Sequence, residues 1–397
     1  MDRSPRTASW LVGTLMITLA AAGALAAGDR AEVNLYGHAQ LDAGYDFGRG
    51  DPANPDRLRV SRLPSYENEY GLEGLTYFSV RQSRFGVKSR VPAGDREVFV
   101  QLEFDFMGSG TTPRLRHFYG EYGNFGAGQY WSPFTDVDAY PPIFESFGPS
   151  GIPWVRNAQI RWMPLRGDSR LTFAIEKPGA SGEGGDYDEL VALQDVQIRL
   201  RTPVLSASFR HGGSWGHAQL GGLLRRIWWD DLTDDDVDLA GDTMGWGLTA
   251  SAVLEFGQGG AVRAQYVIGE GIENYINDST VDVAPRTNPD DPSRPIEGEA
   301  LPVQTFTAYV EYFWSEQWGA VGGFSRIDID NVEGQSADAF AAGNFATATL
   351  RYQPASGVTV GLEYQYGKRE NYNDGFSSDD FRIQFSAKYS FSSRIGG

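Results

Sequence analysis

Apolar and polar residues alternate along most of the chain, beginning near residue 33. In the first such stretch, Val33, Leu35 and Leu41 lie on an apolar face, and Asn34 and Gln40 lie on a polar face. A period of two over about fifteen residues is typical of one long β-strand with two different faces. Strands of soluble sandwiches have about five or six residues, whereas about ten tilted residues cross a bilayer. The pattern therefore predicts strands that are long enough to span a membrane.

The same alternation recurs to the end of the chain. Phe381, Ile383 and Phe385 share one face of the last predicted strand. Arg382, Gln384 and Lys388 share the other. An apolar outside and a polar inside are what a barrel in lipid requires. About sixteen strands are predicted, with fourteen and eighteen as the alternatives. They cover residues 33–47, 77–91, 96–107, 113–122, 125–131, 154–164, 169–177, 203–211, 216–229, 245–256, 261–270, 302–314, 318–328, 341–353, 357–368 and 380–391.

Links between the predicted strands are alternately short and long. Tight turns such as Gly123-Asn124 separate longer segments, most of which are acidic or rich in proline. Short periplasmic turns opposite long external loops are typical of bacterial outer-membrane barrels. We therefore predict an all-β fold, a transmembrane antiparallel β-barrel that occupies residues 27–397. The longer segments cover residues 48–76, 132–153, 178–202, 230–243, 271–301 and 369–379.

The start of the chain has the features of a secretory signal peptide. Arg3 and Arg6 precede an apolar stretch, and small residues at Ala24 and Ala26 predict cleavage after residue 26. A membrane-anchoring helix is the alternative, which the short apolar stretch disfavours. No later stretch reaches the roughly 18 apolar residues that a spanning helix needs. No plug domain is expected before the first strand, which disfavours an energised siderophore receptor.

Charge and composition disfavour several classes of function. The formal net charge is −18, and such a surface repels nucleic acid. Cysteine is absent, which excludes disulfides, thiolate metal sites and a cysteine nucleophile. The four histidines lack metal-ligand spacing, so neither a metal nor a cofactor is predicted. No strand places a serine and a histidine together on the outer face, as an embedded lipase would require, so no enzymatic activity is predicted.

A constriction is predicted at residues 132–153. Sixteen strands enclose a lumen too wide for side chains alone to fill, so a water-filled pore is expected. This segment is long, aromatic and stiffened by proline, and we predict that it folds into the lumen with Asp136 and Asp138 facing the barrel wall. An ordinary surface loop is the alternative.

Basic residues lie at inward-facing positions of two predicted strands. Arg84, Lys88 and Arg90 are spaced two or four residues apart on one strand, and Arg161 follows Gln159 on another. A basic wall opposite an acidic loop would set a transverse field that favours anionic or dipolar solutes. A lumen lined by polar residues of both signs is the alternative.

Five blocks of sequence resemble the DcaP-like family of outer-membrane porins. They are RQSRFG at 81–86, LRHFYGE at 115–121, GQYWSPFTD at 128–136, RNAQIR at 156–161 and SWGHAQL at 214–220. The resemblance implies a sixteen-stranded homotrimeric porin for small, often anionic solutes such as dicarboxylates, with a constriction near the third external loop. It also implies a basic wall of Arg84, Arg116 and Arg161. The strand and loop that enter the lumen would carry Gln129, Trp131 and Asp136.

The sequence thus predicts an integral outer-membrane porin for passive diffusion, with outer-membrane lipid and lipopolysaccharide as its surroundings. A non-conducting surface or adhesin barrel with partner-binding acidic loops is the alternative. The acidic run 230–238 could bind calcium or bridge lipopolysaccharide, although such a run is more often a solvated loop. The predicted pore-lining residues are Arg84, Lys88, Arg90, Arg116, Gln129, Trp131, Asp136, Asp138, Gln159 and Arg161.

Overall fold

The computed structural model describes residues 31–190, 193, 195–233 and 236–395. The predicted signal peptide, residues 1–26, lies outside these residues. The strands are β1 (Glu32–Asp46), β2 (Leu75–Ser79), β3 (Arg84–Ala93), β4 (Arg96–Asp105), β5 (Arg114–Tyr122), β6 (Phe125–Trp131), β7 (Arg156–Arg166), β8 (Ser169–Glu176), β9 (Val196–Arg199), β10 (Val204–Gly213), β11 (Gly216–Asp231), β12 (Gly241–Phe256), β13 (Gly260–Glu270), β14 (Val283–Thr287), β15 (Ile296–Ala300), β16 (Pro302–Phe313), β17 (Trp318–Ile329), β18 (Phe340–Ala355), β19 (Val358–Asn371) and β20 (Ser377–Ile395). Short 3-10 helices lie at Val60–Arg62, Val137–Ala139, Gly185–Tyr187 and Glu273–Tyr275. Within the described ranges, no helix is long and apolar enough to cross a membrane.

Eighteen strand segments of the described residues form one sheet, and β14 and β15 pair as a separate hairpin. β2 and β3 lie end to end along β1, and β9 and β10 lie end to end along β11. Each couple makes one interrupted strand, so the eighteen segments form sixteen antiparallel barrel strands. The predicted count is confirmed. The predicted strand 77–91, however, is interrupted at residues 80–83.

The first and last strands close the barrel. β1 pairs with β20 without a register shift from Val33 opposite Ile395 to Asp46 opposite Arg382. Because this seam joins the two ends of the sheet, the barrel has no unpaired edge along it.

The two faces of each strand meet different surroundings. On β20, Phe385 is 45% exposed, whereas the adjacent Arg382 and Gln384 are buried. In a closed barrel a large exposed apolar side chain faces outward and a buried polar one faces the lumen. The alternation read from the sequence therefore assigns these two faces correctly.

Long loops lie at one end of the barrel and tight turns at the other. In one turn, Ala93 pairs with Arg96 across Gly94, whose φ of 66° suits glycine. The loops discussed below are numbered in chain order from the long-loop end: loop 1 is 47–74, loop 3 is 132–155, loop 4 is 177–195, loop 5 is 232–240 and loop 6 is 271–301.

Part of the lumen is filled by an apolar cluster. Leu58 and Val60 of loop 1, Phe134 of loop 3 and Ile272 of loop 6 belong to it, together with inward-facing strand residues such as Phe345. All five are buried. Burying this apolar surface holds the three loops inside the barrel.

Candidate functional site

Loop 3 starts on one side of the barrel and is anchored to strands beyond its own neighbours. The carboxylate of Asp136 lies 2.8 Å from Nε2 of His217 on β11 and accepts a hydrogen bond of 2.6 Å from Ser251 on β12. It also lies 3.2 Å from the guanidinium of Arg210 on β10. Asp138 pairs with the same arginine at 2.6 Å, but its side chain is 56% exposed. Asp136 is therefore the buried anchor of the loop.

The middle of loop 3 bonds to a different part of the barrel. The backbone N–H groups of Phe144 and Glu145 donate to the two carboxylate oxygens of Glu363 on β19, at 2.6 and 2.8 Å. Gln384 on β20 donates to the carbonyl of Phe144 at 3.3 Å. Around the ring, β13, β16, β17 and β18 separate β12 from β19. A loop that bonds to both regions crosses the lumen.

Asp278 of loop 6 joins the three loops inside the barrel. It is buried and accepts hydrogen bonds from the N–H of Val60 (2.6 Å), the hydroxyl of Ser61 (2.5 Å) and the hydroxyl of Ser150 (2.8 Å). The guanidinium of Arg59 lies 3.4 Å away. One carboxylate thus fixes loops 1, 3 and 6 relative to one another.

These loops and the barrel wall enclose a cavity of about 550 Å³. The wall is supplied by inward-facing residues of β1, β3, β4, β5, β7, β18 and β20. Basic side chains in the lining outnumber acidic ones, and we refer to it as the basic cavity. The basic ones are Arg57, Arg59, Arg84, Arg114, Arg116, Arg156, Arg351 and Lys388, and the acidic ones are Asp105, Glu145, Glu273 and Asp278.

Some of the arginines in the basic cavity are held by carboxylates of the wall. Arg116 lies 2.6 Å from Glu103 and 2.9 Å from Asp105, and Arg114 makes two hydrogen bonds to Asp105, at 3.0 and 2.7 Å. Arg84 is 3.6 Å from Glu103. Such charge-assisted pairs fix the guanidinium groups in place and neutralise part of their charge.

The loop carboxyls contribute less negative charge than their number suggests. Burial raises the pKa of Glu145 to about 7, although it accepts hydrogen bonds from the N–H groups of Phe147 (2.9 Å) and Leu58 (3.3 Å). Burial, reinforced by the nearby Asp282, raises the pKa of Glu273 well above its ordinary value. Near neutral pH the basic cavity is therefore more positive than a count of ionisable groups indicates.

The residues predicted on β3 spread along that strand. Arg84 lines the basic cavity. Lys88 and Arg90 are exposed and lie nearer the tight turn at residues 94–95. The Lys88 ammonium is 4.8 Å from the centre of the Tyr36 ring, and Arg90 is 3.7 Å from Glu97. The structure thus brings Arg84 together with the predicted Arg116, but not with Lys88 or Arg90.

The other predicted residues of β6 and β7 organise the wall beside the cavity. Arg161 donates to Gln159 at 2.7 Å and to the backbone carbonyl of Trp131. Gln159 in turn donates to the same Trp131 carbonyl at 3.1 Å. The Gln129 amide donates to the backbone carbonyl of Leu115 at 3.0 Å. None of these four predicted side chains is among the described residues that line the basic cavity.

Sequence reasoning missed several residues of the cavity. Arg57 and Arg59 come from loop 1, where no periodic pattern indicates direction. Arg351 lies on β18 and was not singled out. Lys388 lies on the inward face of the last predicted strand with Arg382 and Gln384, but it is not among the predicted pore-lining residues. Among the described residues, no group of His, Asp and Glu is arranged to hold a metal ion.

Comparison with known proteins identifies the architecture. A family model described as DcaP outer membrane protein matches residues 20–252. The outer membrane channel DcaP of Acinetobacter baumannii has 23% sequence identity and a TM-score of 0.76, over 92% of this chain and 98% of that one. A search of curated proteins gave no significant match.

More distant outer-membrane proteins share the fold. The anion-selective porin from Comamonas acidovorans has 11% identity and a TM-score of 0.60, over 91% of this chain and all of that one. The trimer form of OmpT from Vibrio cholerae has 13% identity and a TM-score of 0.56, with the same coverage of both chains. The predicted barrel, its resemblance and its outer-membrane location are confirmed.

Proposed function

The chain belongs to the DcaP outer membrane protein family, and on that premise we propose that it is a porin for small hydrophilic solutes that favours anions. Solutes diffuse through the lumen past loop 3 and the basic cavity. Transport is passive diffusion, and no covalent bond is made or broken.

The observation that carries the proposal is the excess of basic side chains in the lining of the basic cavity. In a narrow passage beside low-dielectric walls, fixed charges of one sign raise the local concentration of the opposite ion. The raised pKa values of Glu145 and Glu273 strengthen this excess. The structurally similar porin of Comamonas acidovorans is described as anion-selective, which agrees with the same preference here.

Dicarboxylates are the solute class that we propose within this preference. Several cations share one cavity of about 550 Å³, so two carboxylates of one small solute would each find a positive group. Of the predicted pore-lining residues, we propose that Arg84 and Arg116, which line the basic cavity, face the solute path, and that Trp131, Gln159 and Arg161 support its wall.

We further propose that the protein works as a homotrimer after removal of residues 1–26. Large apolar residues such as Phe118, Ile160 and Leu220 are exposed on the outer face, where a neighbouring barrel or lipid would cover them. The OmpT neighbour, described in a trimer form, supports this assembly.

The test is the single-channel conductance and reversal potential of the purified protein in planar bilayers under a potassium chloride gradient. We expect steady conductance steps with chloride favoured over potassium. Arg84→Gln should reduce this preference roughly twofold, since one charge about 8 Å from the ion contributes about 0.5 kcal/mol in water. Arg166→Gln, an exposed arginine paired with Glu121 at a turn, is the matched control. Bilayers that stay closed would overturn the porin and favour a surface-binding barrel.

A further inference from the structure

Most cations of the basic cavity have an acidic partner, including Arg57, Arg59 and Arg84, whereas three have none within the described part of the chain. Arg114 and Arg116 are bonded to the carboxylates of the wall. Arg156, Arg351 and Lys388 make no ion pair and no hydrogen bond with their side chains among the residues that the structure describes. We call these three the unpaired cations. A guanidinium already bonded to a buried carboxylate has fewer N–H groups to offer a solute than an unpaired one.

Arg156 is held in place by aromatic rings instead of a carboxylate. Its guanidinium carbon lies 4.7 Å from the centre of the Trp131 ring. Trp131 packs edge-on against Trp154 at 5.0 Å, and Trp154 contacts Tyr140 at 4.6 Å. A cation over an aromatic face is stabilised without losing its hydrogen-bond donors. Arg156 is therefore oriented while its N–H groups stay available.

One donor of Arg156 is buried and has no partner. Its Nη1 group is shielded from solvent, and no described residue accepts its hydrogen bond. A buried donor without an acceptor is unfavourable, and its cost is removed when an acceptor arrives. Because Arg156 lines the basic cavity, an anionic solute there would pair with this guanidinium, whose charge no described carboxylate neutralises.

Arg351 and Lys388 present similar chemistry from β18 and β20. The Arg351 guanidinium lies 5.9 Å from the ring centre of Phe144 in loop 3 and 5.5 Å from that of Phe313. Its Nε is also buried without a partner. The Lys388 ammonium has three donors and opens into the same cavity.

We infer that the unpaired cations contact a permeating anion directly and determine specificity, whereas Arg114 and Arg116 are positioning residues that hold the wall carboxylates. The ligand chemistry is an oxyanion, with carboxylate oxygens accepting from Arg156, Arg351 and Lys388. This inference rests on the proposed anion-favouring porin and adds which residues make its contacts. The position of Arg156 depends on Trp131.

The test measures anion binding separately from conduction. Trifluoroacetate is the probe, and its binding to the purified full-length protein in detergent is followed by ¹⁹F NMR line broadening. Arg156→Gln and Lys388→Gln are compared with Arg114→Gln as the matched control. Each variant removes one positive charge from the same cavity, so the long-range field changes alike. Direct contact predicts about tenfold weaker binding for the first two and no more than about twofold for the control.

Two further variants test how Arg156 contacts the anion, and separate measurements check that each variant folds. Arg156→Lys keeps the charge but not the planar donor set, and should recover only part of the lost affinity. Trp131→Leu keeps every cation, and should weaken binding several-fold if the ring orients Arg156. Far-ultraviolet circular dichroism and heat-modifiable gel mobility verify the barrel in each case. If Arg156→Gln does not fold, Arg351→Gln with Lys388→Gln decides the same question.

The outcomes distinguish the two proposals. Equal weakening in Arg114→Gln, Arg156→Gln and Lys388→Gln would overturn the inference, because only the field would then matter. Wild-type bilayers that stay closed or favour potassium would overturn the proposed function, even with the predicted order of trifluoroacetate affinities. Binding about tenfold weaker in Arg156→Gln and Lys388→Gln, beside a loss of no more than about twofold in Arg114→Gln, in a channel that favours chloride, supports both.

Discussion

Two cavities of this molecule carry opposite charge. The basic cavity lies in the lumen, whereas a second cavity of about 410 Å³ lies among loops 4, 5 and 6 at the long-loop end. The second one is lined by Glu183, Asp188 and Glu297 together with apolar residues such as Trp229 and Val283. Within the described residues its lining includes no lysine, arginine or histidine. We call it the acidic outer cavity.

The difference shows that basic side chains are concentrated in the lumen and acidic ones at the long-loop end of the barrel. A formal net charge of −18 describes the whole chain and is opposite in sign to the lining of the basic cavity. Acidic external loops keep the exposed end hydrophilic, while the fixed charges of the narrow passage act on permeating ions. Net charge therefore says little about the selectivity of such a protein.

The largest effect is expected from removing the anchor that holds loop 3 across the lumen. Asp136→Ala deletes the acceptor for Ser251 and His217 and leaves Arg210 with the exposed Asp138 as its acidic partner. Breaking a buried ion pair on one side costs about 3 kcal/mol. Loop 3 should detach from β10–β12, giving larger and noisier single-channel currents.

Asp138→Ala is the control for this prediction, because its carboxylate is exposed and also pairs with Arg210. Exposed pairs contribute at most about 1 kcal/mol, so its currents should resemble wild type. Equal current noise in both variants would contradict the assignment of Asp136 as the anchor.

A smaller effect is expected when the pH is changed, and it concerns the preference of the channel for chloride. Glu145 has a pKa raised to about 7 by burial, so it is mostly neutral at pH 6 and mostly ionised at pH 8. As pH falls through 7, the basic cavity loses one negative charge, and the preference for chloride should rise. We expect this preference to rise roughly twofold, since one charge about 8 Å from the ion is removed. Reversal potentials measured between pH 6 and pH 8 check this.

Glu145→Gln provides the control for the pH effect. The variant should show the low-pH selectivity at every pH in this range, because its amide does not titrate. An unchanged pH dependence in Glu145→Gln would assign the effect to another group, such as the neighbouring Glu363 to whose carboxylate the N–H of Glu145 donates.

The smallest effect is expected at the acidic outer cavity. Glu183→Gln with Glu297→Gln removes two charges from loops at the long-loop end. At 0.1 M salt the screening length is about 10 Å, so exposed charges outside the passage act weakly on the ion within it. The reversal potential should stay close to wild type at 0.1 M and at 1 M salt. A shift of the reversal potential as large as that of Arg84→Gln would mean that both cavities act equally on the permeating ion.

The alternation of residues was sufficient to predict the barrel but not its interior. It predicts all sixteen barrel strands because outward-facing residues such as Phe385 must be apolar in lipid, and this repeats with a period of two. It does not predict β9 (Val196–Arg199), which falls in the segment 178–202 predicted as a loop. The break at residues 80–83 was missed, since the apolar pattern continues through Val80 in the sequence.

The basic cavity was predictable only where strands supply it. The alternation indicates Arg84 and the family resemblance indicates Arg116, whereas Arg57 and Arg59 lie on loop 1, whose path through the lumen depends on contacts with Asp278 in loop 6. Such contacts are far apart in the chain and leave no periodic signal. Arg156 is not indicated because it has the parity of the outward-facing Ile160, so the alternation places it on the outer face although it lines the basic cavity.

The seam between β1 and β20 has a consequence for how the protein assembles. Its paired residues stand more than 300 positions apart, from Val33 opposite Ile395 to Asp46 opposite Arg382. Contacts of such high sequence separation make folding slow, because a long loop must close before any pair forms. One edge of β1 therefore stays unpaired until β20 has entered the periplasm. During that interval a periplasmic binding partner would be needed to prevent aggregation through this edge.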